Sequence, residues 1–183
     1  MSKKLYFISI VPPGEIRTKI KSLKEEMRDQ FNAKHALKAP AHITLQMPFR
    51  REEKFESQLI PELKSFAAEQ IPFEINLNGF DCFEPRVIFV KITNHKPVQI
   101  LYGNLRESLI DKLSFDPDKL KHEIHPHMTI ATRDLKEDAF YKAWDEFKNR
   151  PFEDSFKTNS ITLLKHNGKD WDIYKEFLFR CSD

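Results

Sequence analysis

The chain has 183 residues, enough for one domain of ordinary size; 40% of them are hydrophobic and 32% are charged. This balance is typical of a soluble globular protein and excludes both a disordered chain and a membrane protein. Lysine and arginine together number 30 against 28 acidic residues, so the net charge of +2 argues against a protein that holds long nucleic acid by its overall field and leaves room for a local basic patch around one phosphate.

Glycine and cysteine usage narrows the function classes further. The four glycines are too far apart to build a Gly-rich phosphate loop, which excludes recognisable Walker-type and dinucleotide-binding motifs. Cys82 and Cys181 are too few for a disulfide framework or a zinc ribbon, and predict reduced thiols in a cytoplasmic protein. Pro12 and Pro13 stop the apolar N-terminal segment too early for a signal peptide, and we expect no membrane-spanning segment.

Strand and helix signals alternate in the first part of the chain. Leu5 to Val11 predicts a buried strand, and apolar residues at helical spacing from Ile16 to Phe31 predict an amphipathic helix. Alternation from His42 to Phe49 predicts a second strand. Helical spacing from Phe55 to Phe66 predicts a helix that Pro61 kinks or divides.

The same two kinds of signal continue through the rest of the chain. The predicted elements are strands at Phe73–Phe83 and Val87–Thr93, a helix from Val98 to Leu113, a strand at His127–Thr132, a helix between Glu137 and Asn149, and strands at Ile161–Lys165 and Trp171–Phe179. The last two flank Asn167-Gly168, which favours a tight hairpin. No linker divides the chain, so we expect one α+β domain over residues 1–183, two-lobed and internally duplicated.

One tripeptide pattern occurs twice, as His42-Ile43-Thr44 and as His127-Met128-Thr129, each at the start of a predicted strand. An apolar residue occupies the second and the fourth position of both copies. Because side chains alternate between the faces of a strand, the His and the Thr point the same way while the apolar residues face the core. Each strand therefore presents an imidazole beside a hydroxyl, and the two strands could line one cleft.

These residue types suit displacement at phosphorus. Histidine has a pKa near neutrality, so one imidazole can accept a proton while the other donates one. Threonine hydroxyls can donate hydrogen bonds to the non-bridging phosphoryl oxygens without adding charge. One histidine would activate the attacking oxygen and the other would protonate the leaving oxygen, which in principle requires no metal.

The segments Ala41-His42-Ile43-Thr44-Leu45 and Pro126-His127-Met128-Thr129-Ile130-Ala131 resemble the 2H phosphoesterase superfamily, named for its two His-x-Thr/Ser motifs. This superfamily includes bacterial RNA 2′,5′-ligase/cyclic phosphodiesterase proteins. The resemblance implies a bilobal, pseudo-twofold duplicated α+β fold, with antiparallel sheets flanked by helices and both motifs facing a central cleft. It implies hydrolysis of 2′,3′-cyclic phosphates, usually to a 2′-phosphate, and in some members a weak 2′,5′-RNA ligation.

The resemblance assigns the catalytic roles to His42, Thr44, His127 and Thr129. The histidines would be the acid/base pair and the threonines would stabilise the charge on the phosphoryl group. Which histidine is the base stays open, because it depends on which ribose oxygen leaves. The implied substrates are RNA ends or small cyclic nucleotides. We expect no cofactor and no obligatory protein partner.

Several further residues are candidates for substrate contacts. Relatives in the RNA-ligase branch often carry Arg directly after the Ala of the second motif, whereas here Thr132 intervenes before Arg133. Strict alternation would still place Arg133 on the face of His127, and a bulge would not. His125 would face the cleft if the strand extends that far.

Three more candidates lie on the predicted strands. Gln46 continues the polar face of the first motif strand. Trp171 and Tyr174 lie on the last strand, where they could stack a base or simply pack the hairpin.

The histidines and the motifs also allow other interpretations. The histidines at 122, 125 and 127 suggest a metal cluster, but no cysteine or carboxylate lies at ligand spacing, so we expect no metal site. His35, His95 and His166 are expected at the surface. The alternative functions are an RNA-end-binding module with little turnover, and a phosphodiesterase for another small ester such as an ADP-ribose cyclic phosphate or a 2′,5′-oligonucleotide.

Overall fold

The computed structural model describes residues 2–181. Its strands are β1 (Lys3–Ile10), β2 (Ile43–Glu52), β3 (Phe73–Phe83), β4 (Val87–Ile92), β5 (His127–Ala131), β6 (Glu153–Thr158), β7 (Ser160–His166) and β8 (Trp171–Leu178). Its helices are α1 (Gly14–Phe31), α2 (Glu56–Glu69), α3 (His95–Leu113) and α4 (Glu137–Phe147). Short 3-10 turns cover His35–Lys38, Glu53–Phe55 and Pro117–Lys119.

The strands form two antiparallel sheets of four strands each. The first sheet has the order β2-β1-β7-β8 and the second has the order β5-β4-β3-β6. Helices α2 and α3 pack against the first sheet, and α1 and α4 pack against the second. One edge of the first sheet is β2, which carries Thr44, and one edge of the second sheet is β5, which carries His127 and Thr129. These two edge strands contact each other. The expected α+β fold, with two lobes and a central cleft, is confirmed.

Helix α1 joins the two lobes. It follows β1 of the first sheet but packs against β5 and α4 of the second. Its apolar residues Ile16, Ile20, Leu23 and Met27 are buried at the helical spacing that the sequence predicted. The helix ends at Phe31, and the left-handed backbone of Asn32 (φ 56°) lets the N–H of the next residue, Ala33, bond the carbonyl of Met27. The opposite face of α1 is left for polar residues.

The structure corrects two points about the elements. Pro61 does not divide helix α2, which runs through it as one element; Pro61 is exposed, so water can bond the carbonyl that lost its N–H partner. Strand β6 was not predicted. It is an edge strand in which only Phe156 and Thr158 are buried, so its sequence shows little apolar alternation. The predicted hairpin is present, with residues 167–170 as its loop.

Candidate active site

The two motif histidines are held in the same way. The ring nitrogen Nδ1 of His42 lies 2.7 Å from the carbonyl oxygen of Pro40, two residues earlier in the chain. Nδ1 of His127 lies 2.6 Å from the carbonyl oxygen of His125, again two residues earlier. A carbonyl oxygen only accepts hydrogen bonds, so Nδ1 must donate in both residues. A neutral ring in this tautomer keeps the lone pair on Nε2, which is then free to accept a proton.

His42 sits in the more enclosed of the two positions. Its ring packs against Phe7 with centroids 4.9 Å apart, and Phe7 in turn contacts Trp171 edge-on at 4.5 Å. Burial, and then the positive charge of Lys24, lower the pKa of His42 from 6.5 to about 4, although the hydrogen bond to Pro40 opposes the shift. His42 is therefore neutral at pH 7, with Nε2 available as a proton acceptor.

His127 sits between two phenylalanines and another histidine. Its ring centroid lies 5.1 Å from that of Phe83 and 5.0 Å from that of Phe89. Burial lowers the pKa of His127, against the hydrogen bond to His125, and charges on His125 and Lys121 lower it further. A charge on His127 in turn lowers the pKa of His42, so the two rings lie within electrostatic reach of each other.

The two threonines lie on the same faces as the histidines. Thr44 pairs with Ser9 of β1, on the face of the first sheet that carries Phe7. Thr129 pairs with Phe89 of β4, the residue that packs against His127. Both threonines are half-buried. Each motif therefore offers a hydroxyl donor beside its imidazole.

Bulges remove two predicted contact residues from the cleft face. In β2, Thr44 pairs with Ser9 but Gln46 pairs with the next residue, Ile8, so an extra residue has entered the strand. Gln46 thus shares the core face of Ile8; it is 6% exposed and its amide donates to the carbonyl of Met47. The prediction that Gln46 continues the polar face of Thr44 is wrong.

Arg133 is the second displaced residue. A register shift at the end of β5 moves Ala131 to the core face of Ile88, and the strand ends there. Arg133 follows in a left-handed conformation (φ 58°) and is exposed. It lies near His35 in the neighbouring 3-10 turn, where burial and then the charge of Arg133 lower the pKa of His35. Strict alternation does not extend to this residue, so the expectation that it shares the face of His127 is wrong.

The two aromatic candidates on β8 lie on opposite faces. Trp171 faces the cleft side and contacts Phe7. Tyr174 is the extra residue of a bulge in β8, and its hydroxyl donates to a carboxylate oxygen of Glu56 in α2 at 2.6 Å. Its predicted role in the cleft is therefore wrong, because it faces the helical side of the first sheet.

His125 lies just before β5, exposed, with its ring centroid 6.4 Å from that of His127. It also contacts His95 at 4.6 Å. His95 was expected at the surface, but it is half-buried and its Nε2 is enclosed without a hydrogen-bond partner in residues 2–181. Its place at the start of α3 is not visible in the sequence pattern. No group of three histidine, cysteine or acidic side chains in that range is placed to hold a metal ion.

Lys24 is the other residue that the sequence did not single out. It is 3% exposed, and its ammonium group donates to the carbonyl of Ala39 at 2.9 Å. A lysine on an amphipathic helix is ordinarily expected at a solvent-exposed position, and here residues 35–41 fold over α1 and bury the side chain.

Across residues 2–181 every helix is too short or too polar to span a bilayer.

Proteins of known structure share this fold. TT0787 of Thermus thermophilus superimposes with a TM-score of 0.69 at 19% identity, covering 98% of this chain and 100% of that one. LigT of E. coli in its apo form gives a TM-score of 0.67 at 18% identity, over 99% of this chain and 100% of LigT. A structure of LigT complexed with 3′-AMP also gives 0.67.

Sequence comparison gives the same relationship. The "Putative phosphoesterase OB1230" of Oceanobacillus iheyensis is 27% identical over 176 residues, which is 94% of this chain and 96% of the relative. A similarly named protein of Geobacillus kaustophilus is 27% identical over 177 residues, 94% of this chain and 95% of that one. The model of the 2′-5′ RNA ligase superfamily matches residues 12–170, which include both motifs. The chain belongs to the 2′-5′ RNA ligase superfamily.

Proposed function

We propose that this protein is a metal-independent phosphodiesterase that hydrolyses 2′,3′-cyclic phosphates at RNA ends or on small nucleotides. His42 and His127 form the acid/base pair, and Thr44 and Thr129 hold the phosphoryl oxygens. A reverse reaction that joins RNA ends through a 2′,5′ linkage uses the same four residues. We place the activity in the cytoplasm, in line with the sparse cysteine usage.

The observation that carries the proposal is the matched hydrogen bonding of two imidazoles where two adjoining edge strands begin. Each Nδ1 is engaged by a backbone carbonyl, at 2.7 Å in His42 and 2.6 Å in His127. Each ring therefore has one nitrogen, Nε2, left for proton transfer. Twin groups of this kind suit in-line displacement, in which the attacking and the leaving oxygen lie on opposite sides of phosphorus.

The environments of the two rings favour a division of roles. The pKa of His42, about 4, keeps its Nε2 unprotonated at neutral pH, which suits the base. His127, whose pKa is lowered without a buried lysine beside it, is the better acid. A water molecule gives its proton to Nε2 of His42 and forms the new P–O bond. The bond from phosphorus to the ribose 3′ oxygen breaks, and that oxygen takes the proton from Nε2 of His127. The product is a 2′-phosphate.

The threonines act on the charge that develops during this step. Their hydroxyls donate to the two non-bridging oxygens, which carry more negative charge in the pentacoordinate transition state than in the substrate. The family match and the relatives named as phosphoesterases support a phosphoester substrate. The structure of LigT with 3′-AMP supports a nucleotide as the substrate class.

The experiment uses cytidine 2′,3′-cyclic phosphate and an RNA with a cyclic end, each incubated with the protein in EDTA. We expect hydrolysis of both, with a 2′-phosphate as the product assigned by NMR of phosphorus. His42→Ala and His127→Ala should be inactive, whereas His122→Ala, which alters an exposed loop histidine, should keep full activity. Tight binding of the RNA end without hydrolysis would favour the RNA-end-binding module instead, and activity that EDTA removes would contradict the metal-independent step.

A further inference from the structure

A basic pocket adjoins the first motif. It has a volume of about 480 Å³ and lies between α1, the segment 37–41 and the first residue of β8. Its basic side chains are those of Arg17, Lys21, Lys24 and Lys38, and Trp171 forms part of its wall. Four cations against one carboxylate, that of Asp170, line the pocket within residues 2–181. The pocket therefore has the charge that attracts an anion.

The cations of the pocket differ from the other cations of α1. Lys19 and Arg28 form ion pairs, with Asp154 at 2.6 Å and with Asp29 at 2.6 Å. In the part of the chain that the structure describes, no carboxylate within ion-pair distance neutralises Arg17, Lys21 or Lys24. These three residues follow one another at intervals of four and three, so they lie along one stripe of the helix.

One of these cations, Lys24, is buried, and a second, Arg17, is half-buried with an enclosed nitrogen that has no acceptor in residues 2–181. Lys24 is 3% exposed and its ammonium group has one hydrogen bond, to the carbonyl of Ala39, although it has three protons to donate. Burial lowers the pKa of Lys24 to about 8, so it is still mostly charged at neutral pH. Nε of Arg17 is enclosed without an acceptor in residues 2–181. A buried charge such as that of Lys24 costs free energy unless it is paired.

The pocket adjoins the residues that hold His42. Its wall includes Pro40, which accepts the hydrogen bond from Nδ1 of His42. The charge of Lys24 reaches the ring of His42, whose pKa it lowers. Trp171 lines the pocket and contacts Phe7, which packs against His42. The pocket and the ring of His42 therefore share Pro40, Lys24 and Trp171 as near neighbours.

We propose that the pocket binds a second phosphate of the substrate, the one nearest to the cyclic phosphate. This inference rests on the proposed function and makes it narrower: the preferred substrate is a cyclic phosphate that carries another phosphate group. The second phosphate is either an internal linkage of an RNA chain or a terminal phosphate on the 5′ oxygen of a mononucleotide. Lys24 and Arg17 bind its oxygens, while Lys21 and Lys38 attract it from the open side.

The test compares three substrates that differ only in the second phosphate. They are adenosine 2′,3′-cyclic phosphate, its 5′-phosphorylated form, and a dinucleotide with one internal linkage and a cyclic end. We expect kcat/KM for at least one of the two phosphate-bearing substrates to exceed that of the first by about tenfold or more, because charge-assisted hydrogen bonds to phosphate are strong. If kcat/KM rises for the dinucleotide and not for the 5′-phosphorylated nucleotide, the pocket binds an internal linkage. If it rises only for the 5′-phosphorylated nucleotide, the pocket binds a terminal phosphate.

The ratio that reports on the pocket is kcat/KM of a phosphate-bearing substrate divided by kcat/KM of adenosine 2′,3′-cyclic phosphate. The double variant Arg17→Gln/Lys21→Gln should bring this ratio close to one. The matched control, Lys64→Gln/Lys142→Gln, removes the same charge from exposed positions on α2 and α4 and should keep the ratio of the unaltered protein. A ratio near one in the unaltered protein overturns the proposal. So does an equal loss of the ratio in the control, since that would reflect net charge alone.

A binding measurement separates this proposal from the proposed function. Inorganic pyrophosphate is titrated into the His42→Ala/His127→Ala protein, and the indole signals of Trp171 and Trp144 are followed by NMR. We expect the signal of Trp171 to move and that of Trp144, on α4, to stay; the movement should vanish in Arg17→Gln/Lys21→Gln. If no cyclic phosphate is hydrolysed by the unaltered protein but Trp171 responds in this way, the proposed function fails and the anion pocket stands. If Trp171 does not respond, the pocket proposal fails.

Discussion

The two histidine sites are built on the same scaffold and differ in what surrounds it. His42 directly precedes edge strand β2 and His127 begins edge strand β5, and in both residues the N–H of Nδ1 donates to the carbonyl two residues earlier. His42 is packed by Phe7 and lies near the buried cation Lys24, whereas His127 lies among Phe83, Phe89 and a second histidine. The shared scaffold fixes which nitrogen is free. The surroundings set the pKa of each ring, and so bias one toward base and the other toward acid.

The largest expected effect tests whether the two sites act as a unit. His42→Ala and His127→Ala should each lower kcat by about 10³-fold or more, because each removes one of two coupled proton transfers. The double variant should lose little more than either single one, as groups that act together are not additive. Single-turnover rates on a cyclic phosphate measure this. Losses that multiply in the double variant would show that the histidines act independently.

The next effect concerns the hydroxyl beside each imidazole. Thr44→Val and Thr129→Val keep the shape of the side chain and remove its donor, and each should lower kcat by about 10²-fold with a small change in KM. Thr93→Val, at an exposed position after β4, is the matched control and should leave both kcat and KM unchanged. A rise in KM without loss of kcat would mean that the threonines bind the ground state rather than the transition state.

The pH dependence sharpens the comparison between the two rings. A base with a pKa of about 4 must lose its proton, and an acid whose pKa lies below 6.5 must keep one, so kcat/KM should peak on the acidic side of neutrality. Lys24→Met removes a positive charge and should raise the pKa of His42, which moves the acidic limb to higher pH. NMR titration of the two imidazoles, with His42→Ala and His127→Ala for assignment, measures each pKa directly. A pKa of His42 that does not rise in Lys24→Met would contradict the assigned cause.

The sequence predicted the helices, the strands other than β6 and the motif pairs, because all of these depend on short-range patterns. Alternation along a strand was enough to place Thr44 on the cleft side, yet it failed two residues later at Gln46. The same happened at Arg133 and Tyr174. A bulge inserts one residue and turns the following side chains to the other face, and the partner strand decides where it forms. Such pairing is not visible in the bulged segment itself.

The pocket cations show a second limit. Lys24 lies on a helix in which charged residues alternate with apolar ones, and there a lysine is ordinarily solvated. Its burial comes from a different segment, residues 35–41, that folds over the helix.

His95 is a second example, outside the pocket. It is enclosed by contacts with His125 that join α3 to the residues before β5. Burial of polar groups by distant segments is a tertiary property, and the local sequence does not encode it.

The smallest expected effect concerns the first sheet on the side away from the cleft. Tyr174 donates to Glu56 at 2.6 Å there, and Tyr6 and Lys165 bond the same carboxylate. Burial raises the pKa of Glu56, but the hydrogen bonds from Lys165, Tyr174 and Tyr6 outweigh it and leave the pKa below its ordinary value. Tyr174→Phe should lower the free energy of unfolding by about 0.5–1 kcal/mol at neutral pH, because one partly exposed hydrogen bond is lost.

The sign of the pH dependence follows from that lowered pKa. The hydrogen bond from Tyr174 to Glu56 stabilises the fold fully at pH values above the ordinary pKa of the Glu56 carboxyl. Its contribution is lost as the pH falls through the lowered pKa that this carboxyl has in the folded protein. The difference in urea unfolding between Tyr174→Phe and the unaltered protein should therefore shrink in acid. Tyr141→Phe, an exposed tyrosine on α4, should change stability less. Since Tyr174 faces α2 rather than the cleft, kcat/KM should be unaffected, and a loss of activity in Tyr174→Phe would place it in the active site after all.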